Sequence, residues 1–172
     1  MKFYTGSAGI LARKAQLEPM LGRPLHAFKT GMQLAQDDVL VGWGQKANTR
    51  QIKQKAHERG LPYWQLEDGF IGYIGHPARG GKAVSLIADP VGIYYDARQP
   101  SRLEQLIATP CDARMVVRAE ALVAELLRLG ITKYNCYAAD SGLPDALAAR
   151  LHHDARPKVL LIDQVAGDLS IP

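Results

Sequence analysis

The sequence predicts an α/β fold in which a mainly parallel sheet is flanked by helices. Three observations carry this. Strand-like and helix-like segments alternate along the chain. DVLVGWG at 38–44 is a short valine- and leucine-rich run bounded by Asp and Gly, the pattern of a strand buried on both faces. DARMVVRAEALVAELLRLG at 112–130 places Met115, Val116, Ala119, Leu122, Val123, Leu126 and Leu127 at three- and four-residue spacing, one apolar helical face that is expected to be core.

In chain order, KFYTG at 2–6 opens the sheet. The small residues Gly6, Ser7, Ala8 and Gly9 then turn the chain into a helix over ILARKAQLEPML, with Ile10, Leu11, Ala15 and Leu17 on one face. After DVLVGWG, the run NTRQIKQKAHERG starts with Asn48, suited to N-capping, and stops at Gly60, suited to ending a helix; its lysines and arginines form a solvated face. PYWQLEDGF reads as a strand and turn. AVSLIAD and GIYYD read as two short strands separated by Pro90-Val91-Gly92, a hairpin or meander.

SRLEQLIA at 101–108 is a helix preceding the long one at 112–130. A polar stretch around 138–144 leads to a short helix, PDALAARL, with His152-His153 on its solvated end. KVLLID at 158–163 is an expected buried strand. Only QVAGDLSIP follows, where a βαβ unit would continue into its helix, so truncation or a missing partner domain is expected. The whole chain, 1–172, is thus read as a single Rossmann-like domain whose last strand leads toward that missing half.

The composition bounds the function. With 172 residues, 47% hydrophobic and 22% charged, the chain has the make-up of one globular domain rather than a disordered segment. No stretch approaches the roughly 20 apolar residues of a membrane helix, and MKFYTGSAGILARK has no signal-peptide core, so a cytoplasmic location is expected. Cys111 and Cys136 lie far apart, and the five histidines lack metal-ligand spacing. Neither a disulfide framework nor a metal site is expected, and no cofactor. The formal charge of +4 suits an anionic partner such as a nucleotide-sugar, a phospholipid surface or a nucleic acid. No GxGxxG fingerprint or phosphate-binding loop occurs.

Glu67-Asp68-Gly69-Phe70 is the candidate catalytic element, because two adjacent carboxylates fall at the expected carboxyl end of a strand, the edge where open α/β sheets bind ligands. Successive strand side chains point opposite ways, so one carboxylate is expected to face the cleft and the other to be held by partners. A carboxylate there can attack an anomeric carbon or accept an acceptor hydroxyl's proton; Asp68, beside a glycine, is the preferred one. An Asp-Gly pair is equally a common turn, and that alternative stays open. Further candidates for substrate binding are Trp43, Gly44 and Lys46 after the second strand. To these are added Tyr94, Tyr95 and Asp96 with Ser101 at a helix start, Lys133 and Asn135 of the KYN run, and Asp163 and Gln164.

VGWGQKANT at 41–49, LEDGF at 66–70, SLIADPVGIYYDARQPSRLEQLI at 85–107, ITKYN at 131–135 and LLIDQVAGDLSI at 160–171 occur in an order that resembles the capsule polysaccharide biosynthesis family over nearly the whole chain. The family's characterised members are retaining β-Kdo transferases using CMP-Kdo, where Kdo is 3-deoxy-D-manno-oct-2-ulosonic acid. The resemblance implies the amino-terminal half of a GT-B module, with the active site between two Rossmann-like halves and the other half supplying most CMP contacts. It also implies Asp68 as nucleophile with Glu67 as its neighbour. The chain departs from the family after the pair: Phe70-Ile71-Gly72-Tyr73 stands where an Arg-Ser-like step is usual, which removes a cation. His76-Pro77 is not the family's His-Pro motif, which belongs to the other half.

The expected function is transfer of Kdo from CMP-Kdo to a lipid-linked glycan acceptor in capsule polysaccharide synthesis and transport. The expected partners are the missing half or a partner chain, with peripheral inner-membrane association and no nucleic acid. Apolar surface at the docking face would favour a homodimer. The alternative is a non-catalytic half-domain that binds an acceptor glycolipid or a capsule-machinery partner.

Overall fold

A computed structural model describes residues 1–75, 79–135, 142–153, 155–159, 161 and 167–170. β1 (Phe3–Thr5) is followed by α1 (Ala8–Ala12) and α2 (Lys14–Leu21), then β2 (Leu25–Ala27), β3 (Val39–Trp43), α3 (Ala47–Glu58) and β4 (Tyr63–Asp68). A small antiparallel pair, β5 (Tyr73–Ile74) and β6 (Lys82–Ala83), precedes β7 (Leu86–Asp89). Three helices complete the described chain: α4 (Arg102–Ile107), α5 (Ala113–Leu129) and α6 (Asp145–His153).

The main sheet has the order β2-β1-β3-β4-β7. Four strands are parallel, with Phe3 opposite Leu25 and Val39, and Val41 opposite Trp64; β7 alone runs antiparallel, with Asp68 opposite Leu86. The period of two along each strand sends successive side chains to opposite faces. Phe3, Val39, Val41 and Leu66 therefore pack with Ile10 of α1 and Leu17 of α2, whereas Tyr4 and Leu40 pack with Ile52 and Ala56 of α3. Helices on both faces bury the sheet, which explains why the strand VLVGW is apolar throughout rather than alternating. This is a Rossmann-like layout, and it leaves the carboxyl ends of β1, β3 and β4 on one edge.

Several expectations are corrected. Residues 92–96, GIYYD, form turns, because Asp89 Oδ1 accepts from the Val91 and Gly92 amides at 2.8 and 3.0 Å and bends the chain away from the sheet. The first helix is broken at Arg13, and Leu25–Ala27 is a strand the sequence pattern did not signal. Lys46, not Asn48, holds the N-cap position of α3.

The stripe on α5 is not core: none of its residues is buried, and Leu127 is 78% exposed. Periodicity shows that a helix has an apolar face, and no surface among the described residues covers this one. Of the strand expected at 158–163, Lys158, Val159 and Leu161 are exposed and outside any strand, and 160, 162 and 163 lie outside the described residues. Among the described residues no helix is long and apolar enough to cross a membrane.

Candidate functional site

Glu67 and Asp68 end β4 on the edge where β1 and β3 also end. Their surroundings differ. Glu67 Oε1 accepts from the Trp43 indole Nε1–H at 3.0 Å and from the Asp68 amide at 3.0 Å. The Tyr95 hydroxyl faces the same carboxylate, and burial, then that negative neighbour, pushes the phenol well above its ordinary range. Asp68 Oδ1 accepts from the Tyr73 hydroxyl at 2.8 Å, and among the described residues that is its one side-chain donor. Burial first, then the Asp68 carboxylate, raises the Tyr73 phenol, so Tyr73 stays a donor. The pair thus divides into a tied carboxylate and a more open one.

The turn after β3 brings the two together. The Gly44 amide donates to Leu66 O at 3.0 Å, and Gln65 Nε2 donates back to Gly44 O at 2.9 Å. Gly44 has φ +56°, and a Cβ there would sit 3.1 Å from the Tyr95 hydroxyl and 3.2 Å from Glu67 Oε2. Glycine is required by both the backbone and the space. Thr49 of α3 donates to Trp43 O at 2.7 Å, which locks helix, turn and strand end.

A cavity of about 490 Å³ opens beside the pair, lined by Glu67, Tyr94, Tyr95, Lys133, Asp168 and Ser170. Tyr94 and Tyr95 meet edge to face with centroids 5.5 Å apart. Burial raises the Tyr94 phenol, opposed in part by Lys133. The cavity offers two carboxylates, an ammonium, hydroxyls and two aromatic walls, the equipment for holding a polyhydroxylated, charged ligand. Of the Glu67-Asp68 pair, the tied carboxylate, Glu67, is the one that lines it.

Lys133 and Asn135 are also tied to the segment that follows the carboxylate pair. Lys133 O accepts from the Gly72 and Tyr73 amides at 2.9 and 3.1 Å, and Asn135 Nδ2 donates to Tyr73 O at 2.9 Å, with Asn135 itself at φ 49°. The KYN run therefore holds the segment that carries Tyr73.

Asp96 and Ser101 occupy different places. Asp96 is buried, accepting from Arg98 Nε at 2.7 Å, Arg98 Nη2 at 2.9 Å, Gln45 Nε2 at 3.0 Å and Gln99 Nε2 at 3.0 Å, and the Arg98 guanidinium holds its carboxyl down to about 2. Ser101 is 1% exposed and forms a capping box with Glu104 on α4. Both organise the loop beneath the two tyrosines. Asp163 and Gln164 lie outside the described residues.

Sequence reasoning missed three neighbours. Arg13 places its guanidinium 4.5 Å from the Trp43 ring centroid, Tyr73 holds Asp68, and Asp168 lines the cavity. No motif marks Arg13, whose position follows from the break between α1 and α2. Asp168 arrives because the Ala97 amide donates to Leu169 O at 3.0 Å, a long-range contact no local pattern reveals.

Comparison with known proteins agrees with this layout. Residues 38–122 match the family model described as capsule polysaccharide biosynthesis protein. The capsule polysaccharide modification protein LipA of Neisseria meningitidis serogroup B is 34% identical over 171 residues, which are 98% of this chain and 23% of LipA. The lipopolysaccharide-processing protein LpsZ of Rhizobium meliloti is 34% identical over 136 residues, 77% of this chain and 29% of that protein. The chain therefore spans about a quarter of the length of these relatives.

Among solved structures, KpsC of Thermosulfurimonas dismutans, a β-Kdo 2,4 transferase, aligns with TM-score 0.72 and 33% identity over 84% of this chain and 46% of that one. The β-Kdo 2,7 transferase from the same organism aligns with TM-score 0.51 and 28% identity, covering 81% and 46%. With a mostly parallel sheet, flanking helices and this correspondence, the fold is consistent with the Rossmann-like half of a GT-B glycosyltransferase. The chain belongs to the capsule polysaccharide biosynthesis family and corresponds to the amino-terminal part of its module.

Proposed function

We propose that this chain is the amino-terminal half of a retaining β-Kdo transferase, a single domain over 1–172 that acts with a carboxyl-terminal half on CMP-Kdo and a lipid-linked glycan acceptor. The observation that carries the reading is the unequal carboxylate pair at the carboxyl edge of β4, beside an aromatic and charged cavity. The two structural relatives, both β-Kdo transferases, suggest the sugar.

In this reading an Asp68 oxygen attacks the anomeric carbon of Kdo and the bond to the CMP phosphate oxygen breaks, giving a glycosyl ester and free CMP. The acceptor hydroxyl then attacks the same carbon, loses its proton and releases the carboxylate. Two inversions give retention, by analogy with retaining hydrolases. Glu67, fixed by Trp43 and the Asp68 amide, orients the strand end and contacts substrate. Tyr94, Tyr95 and Lys133 line the sugar site.

The test compares transfer by the chain alone and by the chain fused to the carboxyl-terminal half of the Thermosulfurimonas transferase, each with Asp68→Ala. Activity in the fusion that Asp68→Ala abolishes supports the reading. Activity in the fusion that is indifferent to Asp68 overturns the nucleophile. A second reading, glycolipid binding without chemistry, draws on the same cavity, where Tyr94 and Tyr95 offer stacking surfaces and both described lining carboxylates are engaged, Glu67 by Trp43 and Asp168 by Ser170. Acceptor binding without transfer in any form would establish it.

A further inference from the structure

Trp43, whose indole holds Glu67, also lines a second recess of about 180 Å³, together with Ser7, Arg13, Lys46 and Asn48 among others. Its wall includes two basic side chains from different elements, Arg13 between α1 and α2 and Lys46 before α3, and no carboxylate among the described residues. Neither cation joins an ion pair among the described residues. Two like charges turned into one concavity disfavour each other unless an anion lies between them.

The guanidinium is held in place. It stacks 4.5 Å from the centroid of the Trp43 ring, and the Trp43 Nε1–H is itself tied to Glu67. The Tyr73 ring centroid lies 6.0 Å away and the Arg13 charge acts on its phenol, but a planar fork with five N–H donors still has donors to offer a two-oxygen acceptor. The Ser7 hydroxyl and the Asn48 amide add neutral donors on the rim. The volume is well below the roughly 300–1,000 Å³ of pockets that enclose a drug-sized ligand. It suits a single anionic end group, not a whole nucleotide.

We propose that Arg13 and Lys46 form an oxyanion subsite that takes the anionic end of a sugar substrate, a carboxylate of an acidic sugar or a phosphate. It deepens the transferase reading, since one indole links the subsite to the carboxylate pair: the ring carries Arg13 and the N–H holds Glu67.

The experiment is calorimetric titration of the full chain, with no donor present, using free Kdo, the methyl ester of Kdo, and inorganic phosphate. The variants are Arg13→Lys, Lys46→Ala and Lys53→Ala. The last removes one positive charge from another turn of α3. The expected result is binding of Kdo or phosphate that weakens about tenfold or more in Arg13→Lys and in Lys46→Ala and is unchanged in Lys53→Ala. Kdo binding well ahead of its ester assigns the carboxylate, and phosphate binding ahead of Kdo assigns a phosphate. Lys46 is exposed, and Arg13→Lys keeps the charge, so both variants fold and thermal melting verifies this. Equal affinity for Kdo and its ester with no phosphate binding, no binding of either anion, or equal losses in all three variants would overturn the proposal. Because no transfer is measured, a failed subsite leaves the Asp68 test standing, and an inert Asp68 leaves the subsite standing.

Discussion

Trp43 and Glu67 are joined by a hydrogen bond of 3.0 Å from the indole Nε1–H to Oε1, across the parallel pair β3 and β4. The bond fixes one carboxylate of the pair and leaves the other to Tyr73. Trp43→Phe keeps a ring for Arg13 but removes this donor. The expected outcome is a stability loss of about 1 kcal/mol, the net worth of a hydrogen bond to a charged group with partial exposure. Transfer by the fused enzyme is expected to fall about tenfold. Denaturant melts and steady-state rates measured together check both.

Tyr73→Phe removes the one described side-chain donor to Asp68. Losing a single donor to a reacting oxygen costs on the order of 10²-fold at most in kcat in this partly open site. The expected signature is a lower kcat with little change in KM, since Tyr73 touches Asp68 and not the cavity. A rise in KM at constant kcat would assign Tyr73 to binding instead.

Gly69→Ala tests the turn that follows the pair. The Gly69 amide donates to Ser85 O at 3.2 Å, and a Cβ would overlap Ser85 Oγ and lie 2.7 Å from its Cβ. Overpacking of this kind costs about 1–3 kcal/mol. Gly69→Ala is therefore expected to lower the melting temperature and disturb Asp68. The double variant Gly69→Ala with Ser85→Gly recovers part of the loss.

Asp96 gives a pH signature. Its folded value of about 2 lies below the unfolded value of about 3.9. Stability from the Arg98, Gln45 and Gln99 contacts is therefore complete above pH about 4 and is lost as pH falls toward 2. Asp96→Asn removes that dependence. Acid titrations of both proteins followed by circular dichroism should converge at low pH and separate near neutrality.

A leucine of strand β3 and one of helix α5 make a contrast. Leu40 is fully buried and Leu127 is 78% exposed. Leu40→Ala is expected to cost about 2–5 kcal/mol and Leu127→Ala within about 0.5 kcal/mol in the isolated chain. Urea midpoints at equal slope measure the difference.

Much of this was legible in the sequence. DVLVGWG declared a doubly covered strand, and Glu67-Asp68 stood at its neighbour's carboxyl end, because buried parallel strands must be apolar and ligands bind where they end. What was not legible depends on distance along the chain. Asp89 and Asp96 drew GIYYD into turns by capturing amides and guanidinium groups. Arg13 reached Trp43 only because the first helix breaks beneath it. The α5 stripe was read correctly as an apolar face and wrongly as core, since periodicity says nothing of what covers it.

The most direct test of the account is intact-mass and peptide mass spectrometry of the fused enzyme, stopped with acid during turnover of CMP-Kdo in the absence of acceptor. The account predicts one Kdo attached through an ester to the peptide containing Asp68, absent in Asp68→Ala and chased off by acceptor. Full transfer activity with no adduct, or an adduct on a residue other than Asp68, would contradict it.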